Sequence, residues 1–237
     1  MPSGVATIEA GSGGAPLLLV HGFTGSKADF AGQLEPLAAA GFHAVAPDLP
    51  GHGDSHPDGA TFSFEAYADV VLELADDLGW DCFALLGHSM GGVVVQFVAF
   101  EAAERLTHLV LMDTTPGAVE IDPGLLDLAF GVVAADGMAA LLEAQRAIGP
   151  SPLETGPGRR LREQPGWQEA SDARFLKCSG EMYVAMARHL TSATDRSERL
   201  AAVIPDAKAV VVPGAGHSPQ LENPSSWFEA VSEFLRS

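Results

Sequence analysis

At residues 83–92 the sequence reads Phe-Ala-Leu-Leu-Gly-His-Ser-Met-Gly-Gly. The four apolar residues predict a short buried strand, and the valine run that follows Gly92 predicts the beginning of a helix. Gly87 and Gly91 lie on the turn between them, where a Cβ atom would collide with the neighbouring backbone. A tight strand-turn-helix exposes the central hydroxyl and directs helix N–H groups towards it, so Ser89 is a candidate nucleophile.

On both sides of this turn, short apolar runs alternate with helical periodicity. The pattern predicts strands at 5–9, 17–20, 42–46, 83–86, 106–112 and 209–212, and helices at 27–40, 63–78 and 92–103. A last helix is predicted to begin at Asn223-Pro224, because proline favours the first turn of a helix. Repeated βαβ units with right-handed crossovers indicate the α/β class, with a mostly parallel, doubly wound sheet.

Between Thr114 and Arg196 the strand pattern stops and helical patches follow, broken by Gly-Pro and Pro-Gly pairs. We therefore predict a core formed by residues 1–116 and 197–237, with a helical lid inserted at residues 117–196. Nine apolar side chains of the lid would suit an acyl chain, although more than half of them could simply pack the lid onto the core. They are Leu125, Leu128, Phe130, Val133, Met138, Leu141, Phe175, Met182 and Tyr183.

Two further motifs are predicted at the carboxyl edge of the sheet. Gly214-Ala215-Gly216-His217 follows the strand predicted at 209–212, which places His217 near Ser89 as a candidate base. His21-Gly22-Phe23 follows the strand predicted at 17–20. The backbone N–H groups of Phe23 and Met90 could together form an oxyanion hole, and His21 is interpreted as a structural hydrogen-bonding residue.

These motifs, together with Pro47-Asp48 and Gly51-His52-Gly53, resemble the α/β-hydrolase family of lidded esterases, lactonases and related enzymes. The resemblance runs from Val20 to Pro224 in the family's order. It implies a serine hydrolase that cleaves carboxylic esters, or lactones such as N-acyl homoserine lactones, through an acyl-enzyme. It also implies a small-molecule substrate, no cofactor and no metal. The loop at 48–55 is structural in that family and carries over no catalytic role.

The sequence departs from the family at the acid that should orient the histidine. A triad needs a carboxylate that accepts from the far ring nitrogen. The family usually supplies it from a strand just before the one leading to the histidine. Here residues 200–208 lead from Arg199 directly into the segment 209–212, so that strand and a helix of the family pattern are missing. Some members take the acid from the strand after the nucleophile strand, which favours Asp113. Asp195 is the second candidate, Asp206 and Glu222 follow, and Asp113 could instead only cap its strand or hold the lid.

Several functions remain open within this resemblance. A carbon–carbon bond hydrolase or a cofactor-free haloperoxidase of the same fold would share these motifs, and a missing acid would fit a catalytically impaired ligand-binding homologue. Ser89 argues against a haloalkane dehalogenase or an epoxide hydrolase, because both use an aspartate at this turn.

The composition narrows the possible partners. With 13 Lys and Arg against 31 Asp and Glu, the net charge of −18 repels phosphate backbones and anionic lipid headgroups, which argues against nucleic acid and membrane partners. No secretory signal and no apolar stretch near the ~20 residues of a membrane span are recognised, so a cytoplasmic protein is expected. The two cysteines, Cys82 and Cys178, have no metal-site spacing and are expected to be free, buried thiols.

Overall fold

The computed structural model describes residues 4–56, 59–149, 156–204 and 206–237. Its sheet has five strands in the order β1-β3-β2-β4-β5. They are β1 (Thr7–Ala10), β2 (Ala15–Val20), β3 (Phe42–Pro47), β4 (Phe83–His88) and β5 (Leu106–Met112). Only β1 runs antiparallel to its neighbour, and the other three pairings are parallel. The predicted α/β class and the mostly parallel sheet are confirmed.

Helices cover both faces of the sheet, as predicted. The helices are α1 (Ala31–Ala39), α2 (Phe64–Asp77), α3 (Met90–Ala102), α4 (Pro123–Ile148), α5 (Gly156–Arg162), α6 (Trp167–Leu176), α7 (Gly180–Ser192), α8 (Ser197–Val203), α9 (Pro219–Glu222) and α10 (Pro224–Phe234). A 3₁₀ turn at Lys27–Phe30 precedes α1, so the helix predicted at 27–40 consists of two pieces.

The apolar residues of the central strands point alternately to two cores. Leu18 and Val20 of β2 pack in the cluster beneath α2 and α3, whereas Leu17 and Leu19 pack on the opposite face with Trp227 of α10. Successive side chains of a strand point to opposite faces, so a strand buried on both sides must be apolar throughout. This burial explains why the parallel strands read as unbroken apolar runs in the sequence.

The predicted strand at 209–212 was wrong. The described residues after β5 contain no strand, and the side chains of Val210 and Val211 are 55% and 87% exposed. An open groove of about 780 Å³ separates β5 from this segment. Three successive valines favour extended backbone, but a strand forms only where a neighbour can pair with it and bury its side chains. In the part of the chain described, β5 pairs with β4 on one edge and with no strand on the other, so the sheet ends at β5.

The region between β5 and α8 is helical, with α4 to α7 packed over the core. The Arg196 N–H donates to the Pro116 carbonyl at 2.9 Å, so the chain that leaves the core meets the chain that returns to it. The Arg196 side chain also donates to Gln96 Oε1 of α3 at 3.1 Å. Both bonds lie at the ends of the lid predicted at residues 117–196, whose exact boundaries stay a prediction.

Most of the apolar lid residues proposed for an acyl chain pack the lid onto the core instead. Met138, Leu141, Met182 and Tyr183 are buried in the α2–α3 core cluster, and Phe130, Val133 and Phe175 are partly buried against it. Leu125 and Leu128 of α4 are 51% and 58% exposed.

Helix α4 corrects the expectation that no segment is long and apolar enough to span a membrane. It has 26 residues, and an 18-residue stretch of it has a mean hydropathy of 1.8, which is long and apolar enough to cross a membrane by length and composition alone. A single helix of this kind is weak evidence for a membrane span, and 17% of that stretch is buried in this structure. In this structure Gly137, with φ of 78°, divides the helix in two, and α4 packs against α6 and α7.

Candidate active site

Ser89 lies on a strained turn between β4 and α3. Its backbone has φ 53° and ψ −117°, a positive φ that non-glycine residues adopt only at an energetic cost. A Cβ atom on Gly87 would lie 2.4 Å from the Gly91 carbonyl oxygen, and one on Gly91 would lie 2.4 Å from the His21 carbonyl oxygen. The turn therefore needs glycine at both positions, as the sequence predicted.

The end of β5 holds this turn in place. The Ser89 N–H donates to the Met112 carbonyl at 2.9 Å, and the Thr114 hydroxyl donates to the Ser89 carbonyl at 2.8 Å. A Cβ on Gly92 would lie 2.5 Å from Thr114 Cβ, so the two segments approach closely. Such surrounding contacts are what allow a strained backbone to persist.

The structure brings His217 to Ser89 although 128 residues separate them. The distance from His217 Nε2 to Ser89 Oγ is 3.1 Å, within hydrogen-bonding range. The His217 side chain is exposed and Ser89 is partly exposed, so solvent and small molecules reach both groups. The predicted nucleophile and base thus meet with the geometry that their proposed roles require.

The backbone of residues 21–23 passes directly beside the nucleophile. A Cβ on Gly22 would lie 3.2 Å from Ser89 Cβ. Within the described residues, the N–H groups of Phe23 and Met90 donate to no backbone carbonyl, and Met90 is the first residue of α3, where helix N–H groups lack intrahelical partners. Both N–H groups are therefore available beside Ser89, as an oxyanion hole would require.

Two buried neutral histidines fix this segment. His21 Nε2 accepts from the Leu49 N–H at 3.0 Å, and His52 Nε2 donates to the Phe23 carbonyl at 2.6 Å. Burial lowers the pKa of His21 to about 4 and that of His52 to about 3, so both rings stay uncharged at neutral pH. His21 and the loop at 48–55 thus hold the backbone beside Ser89 through hydrogen bonds, and their interpretation as structural elements stays a prediction.

The structure places Asp113 near His217 but shows no hydrogen bond between them. Asp113 directly follows β5 with φ of 45°, a second strained residue at the carboxyl edge of the sheet. Partial burial raises the pKa of Asp113, the His217 charge opposes that rise, and Glu222 adds to it. The Asp113 carboxylate and the His217 ring therefore interact electrostatically, although no hydrogen bond joins them.

The other candidate acids have other surroundings. Asp195 is exposed where the lid returns, and its carboxylate accepts from the Ser197 N–H at 2.8 Å, a bond that is the first cause of its lowered pKa. Asp206 is exposed and lines the groove beside β5. Asp113, by contrast, directly follows β5, and β5 pairs with β4, the strand that leads to Ser89.

Two residues for which the sequence indicated other roles hold the His217 loop. The Glu222 carboxylate accepts from the backbone N–H groups of Gly216 and Ser218, the residues on either side of His217. His88 Nε2 donates to the His217 carbonyl at 2.6 Å, and burial lowers the pKa of His88 to about 4. From sequence, Glu222 was considered only as an acid and His88 only as part of the turn.

Among the described residues, no group of three or more His, Cys, Asp or Glu side chains is arranged to hold a metal ion. Both cysteines are free thiols, and Cys178 is buried as expected, but the prediction of burial was wrong for Cys82, which is exposed.

A family model described as the alpha/beta hydrolase fold matches residues 15–175, which is more than half of the chain. The chain belongs to the α/β-hydrolase family. The match begins at β2 and includes the Ser89 turn.

Solved structures of hydrolases have the same fold over nearly the whole chain. A thermophilic esterase from Thermogutta terrifontis, solved with malate bound, is 27% identical with a TM-score of 0.80, covering 98% of this chain and 93% of that one. The enol-lactonase from Burkholderia xenovorans LB400 is 21% identical with a TM-score of 0.80, covering 98% and 96% of the two chains. The second similarity shows the fold alone.

One curated relative matches along almost the entire sequence. It is the dihydrolipoyllysine-residue acetyltransferase component of an acetoin cleaving system from Cupriavidus necator, 29% identical over 253 residues, or 95% of this chain and 64% of that protein. The chain spans less than two thirds of the length of the first curated relatives that it matches.

Proposed function

We propose that this α/β-hydrolase is a serine hydrolase that cleaves small carboxylic esters, with lactones as a second substrate class of the same chemistry. The observation that carries the proposal is the 3.1 Å distance between Ser89 Oγ and His217 Nε2 at a strained strand-to-helix turn. A serine is a weak nucleophile by itself and becomes reactive when an adjacent base takes its proton.

The reaction has two steps. Ser89 Oγ attacks the carbonyl carbon while His217 Nε2 takes the hydroxyl proton and then gives it to the leaving alcohol. The resulting acyl-enzyme is attacked by water, whose proton passes to His217 and from there to Ser89 Oγ as the bond to the acyl carbon breaks and the acid is released. No group outside the chain and water is needed to balance these steps, so we infer that no cofactor takes part.

The negative charge on the substrate oxygen would be met by the N–H groups of Phe23 and Met90. Backbone donors that are already positioned stabilise such an oxyanion without reorganisation, and removing one donor typically costs about 10²- to 10³-fold in kcat. His52 binds the Phe23 carbonyl, in the peptide group that follows the proposed donor N–H, and so fixes the backbone next to it.

The substrate class rests on the lid and on the relatives. The Thermogutta esterase has more than a quarter of its residues in common with this chain over nearly its full length. Seven of the nine lid side chains considered for an acyl chain pack against the core instead, and this favours small acyl groups over long ones. The cytoplasmic location expected from the sequence stays a prediction.

A fluorophosphonate probe and a substrate panel test the proposal together. The probe should label Ser89, and p-nitrophenyl acetate or butyrate should be hydrolysed faster than a long-chain ester. The panel should also contain long-chain lactones, a carbon–carbon bond substrate, and peroxide with halide. Folded protein that stays unlabelled and inactive would contradict the proposal and identify an impaired homologue. Labelling with activity only on a non-ester substrate would contradict the ester assignment.

Asp113 is proposed as the acid that orients His217. We expect Asp113→Asn to lower kcat for an activated ester by about 100-fold or more, because an amide cannot stabilise the imidazolium that forms during attack. Asp195→Asn is the matched control and should stay within about two-fold, since Asp195 caps the start of α8 rather than facing His217. Turnover by Asp113→Asn within a few-fold of the parent would show that Asp113 is not the acid.

A further inference from the structure

The loop that carries His217 has no strand to hold it. In a parallel sheet, a residue just past a strand is fixed because the strand before it pairs with its neighbours. Here the preceding segment, 209–212, lies outside the sheet and Val211 is 87% exposed. The His217 side chain is itself exposed, yet its ring lies 3.1 Å from Ser89 Oγ. Some other contact must fix the position of this loop.

Side chains replace the missing strand on one side of His217. Glu222, at the end of α9, accepts from the Ser218 N–H through Oε1 at 3.1 Å and from the Gly216 N–H through Oε2. A single carboxylate thus binds the peptide groups on both sides of His217. Bonds from an ionised acceptor to N–H groups are about twice as strong as neutral ones.

His88 holds the same residue from the other side. Its Nε2 donates to the His217 carbonyl at 2.6 Å, and a carbonyl can only accept, so Nε2 carries the proton. His88 is 6% exposed, and its Nδ1 has no hydrogen-bond partner among the described residues. Because β4 fixes His88 next to Ser89, this bond ties the proposed base to the turn of the nucleophile.

Helix capping alone does not account for the Glu222 contacts. Ser218 is the N-cap of α9, and a bond from its N–H to a side chain of the first helical turn is an ordinary capping contact. Gly216 lies two residues before the cap, outside the helix, and the second carboxylate oxygen reaches it there. The carboxylate therefore spans the position of His217 rather than the start of α9.

We propose that Glu222 and His88 are positioning residues that clamp the backbone of His217 and keep its ring aligned with Ser89. The proposal rests on the proposed function, in which His217 is the base. The clamp consists of Glu222 and His88 bound to the backbone of residues 216–218. It fixes the position of the His217 loop, as pairing of the segment 209–212 with the sheet would otherwise do.

Matched variants separate the clamp from general effects of substitution. Glu222→Gln replaces one acceptor oxygen by an amide NH₂ that cannot accept, and Glu229→Gln makes the same change at an exposed site on α10. His88→Leu removes the donor at similar volume, whereas His88→Gln places an amide donor at nearly the same reach. Thermal unfolding of each variant checks that it folds, and Glu222→Gln remains informative if His88→Leu does not fold.

Kinetics give the first measurement. We expect Glu222→Gln and His88→Leu to lower kcat about 10- to 100-fold with KM within about three-fold, because a shift of about 1 Å in a reacting group costs this much. His88→Gln should recover most of the kcat lost in His88→Leu, and Glu229→Gln should equal the parent. Unchanged kcat in folded Glu222→Gln would overturn the clamp, and so would an equal loss in Glu229→Gln.

Amide hydrogen exchange gives a second measurement that does not need turnover. In Glu222→Gln the amides of Gly216 and Ser218 should exchange at least about ten-fold faster, because their acceptor is weakened. Unchanged exchange at both amides would overturn the proposal. Faster exchange in a protein whose Ser89 is never labelled by a fluorophosphonate would instead contradict the proposed function, so the two failures are distinguishable.

Discussion

Ser89→Ala is expected to lower kcat for p-nitrophenyl acetate by about 10⁴-fold or more and to abolish labelling by a fluorophosphonate. The expectation follows from chemistry, since alanine offers no atom that can form the acyl-enzyme, and removal of a serine nucleophile has effects of this size in well-studied hydrolases. Any residual rate would come from the available N–H groups of Phe23 and Met90 and from substrate binding. Initial rates, active-site titration and mass spectrometry of the labelled protein measure the effect.

The fold of this variant should be unchanged. Alanine at φ 53° has the same backbone strain as serine, and the N–H and carbonyl of residue 89 keep their bonds to Met112 and Thr114. Ser225→Ala, at an exposed position of α10, is the control and should match the parent.

The double variant Ser89→Ala/His217→Ala should be no slower than Ser89→Ala, because residues that act as one unit have non-additive effects. A further loss of ten-fold or more would show that His217 works independently of Ser89. Turnover by Ser89→Ala within ten-fold of the parent would assign the reaction to another nucleophile.

Local sequence signals were sufficient for the core of the fold and for the nucleophile turn. The strand at Phe83–His88 and the glycines around Ser89 form one local unit, whose geometry depends on close approaches that only glycine permits. His217 was also predicted to lie near Ser89, and it does, but that prediction rested on a strand at 209–212 that does not form. The nucleophile turn was predictable because it depends on residues that are neighbours in the sequence.

The features that could not be predicted depend on contacts between residues far apart in the sequence, which a local sequence pattern does not reveal. The valines at 210–212 have the composition of a strand, yet in the described structure they pair with no strand, and the outer edge of β5 stays unpaired. The roles of His88 and Glu222 at His217 were missed for the same reason. His88 is separated from His217 by 129 residues, and a glutamate at the end of a short helix has no sequence signature that distinguishes capping from positioning.

Gly91→Ala is expected to lower the free energy of unfolding by about 4 kcal/mol or more, a size that marks a severe steric or backbone conflict. The added Cβ would lie 2.4 Å from the carbonyl oxygens of both Val20 and His21, at the end of β2. Both are backbone atoms between two buried parallel strands, so neither can move aside by a rotamer change. Urea unfolding followed by circular dichroism measures the loss.

The matched control for this substitution is Gly32→Ala in α1, where an added Cβ meets no atom within 4 Å. Alanine is the better helix former, so this variant should be neutral or more stable by up to about 1 kcal/mol. Any Gly91→Ala protein that folds must displace the start of α3 from β2, which separates the Met90 N–H from the Phe23 N–H. Its kcat should therefore fall by about 100-fold as well. If Gly91→Ala costs no more than Gly32→Ala, α3 does not approach β2 as closely as described, and the oxyanion hole proposed at their junction fails with it.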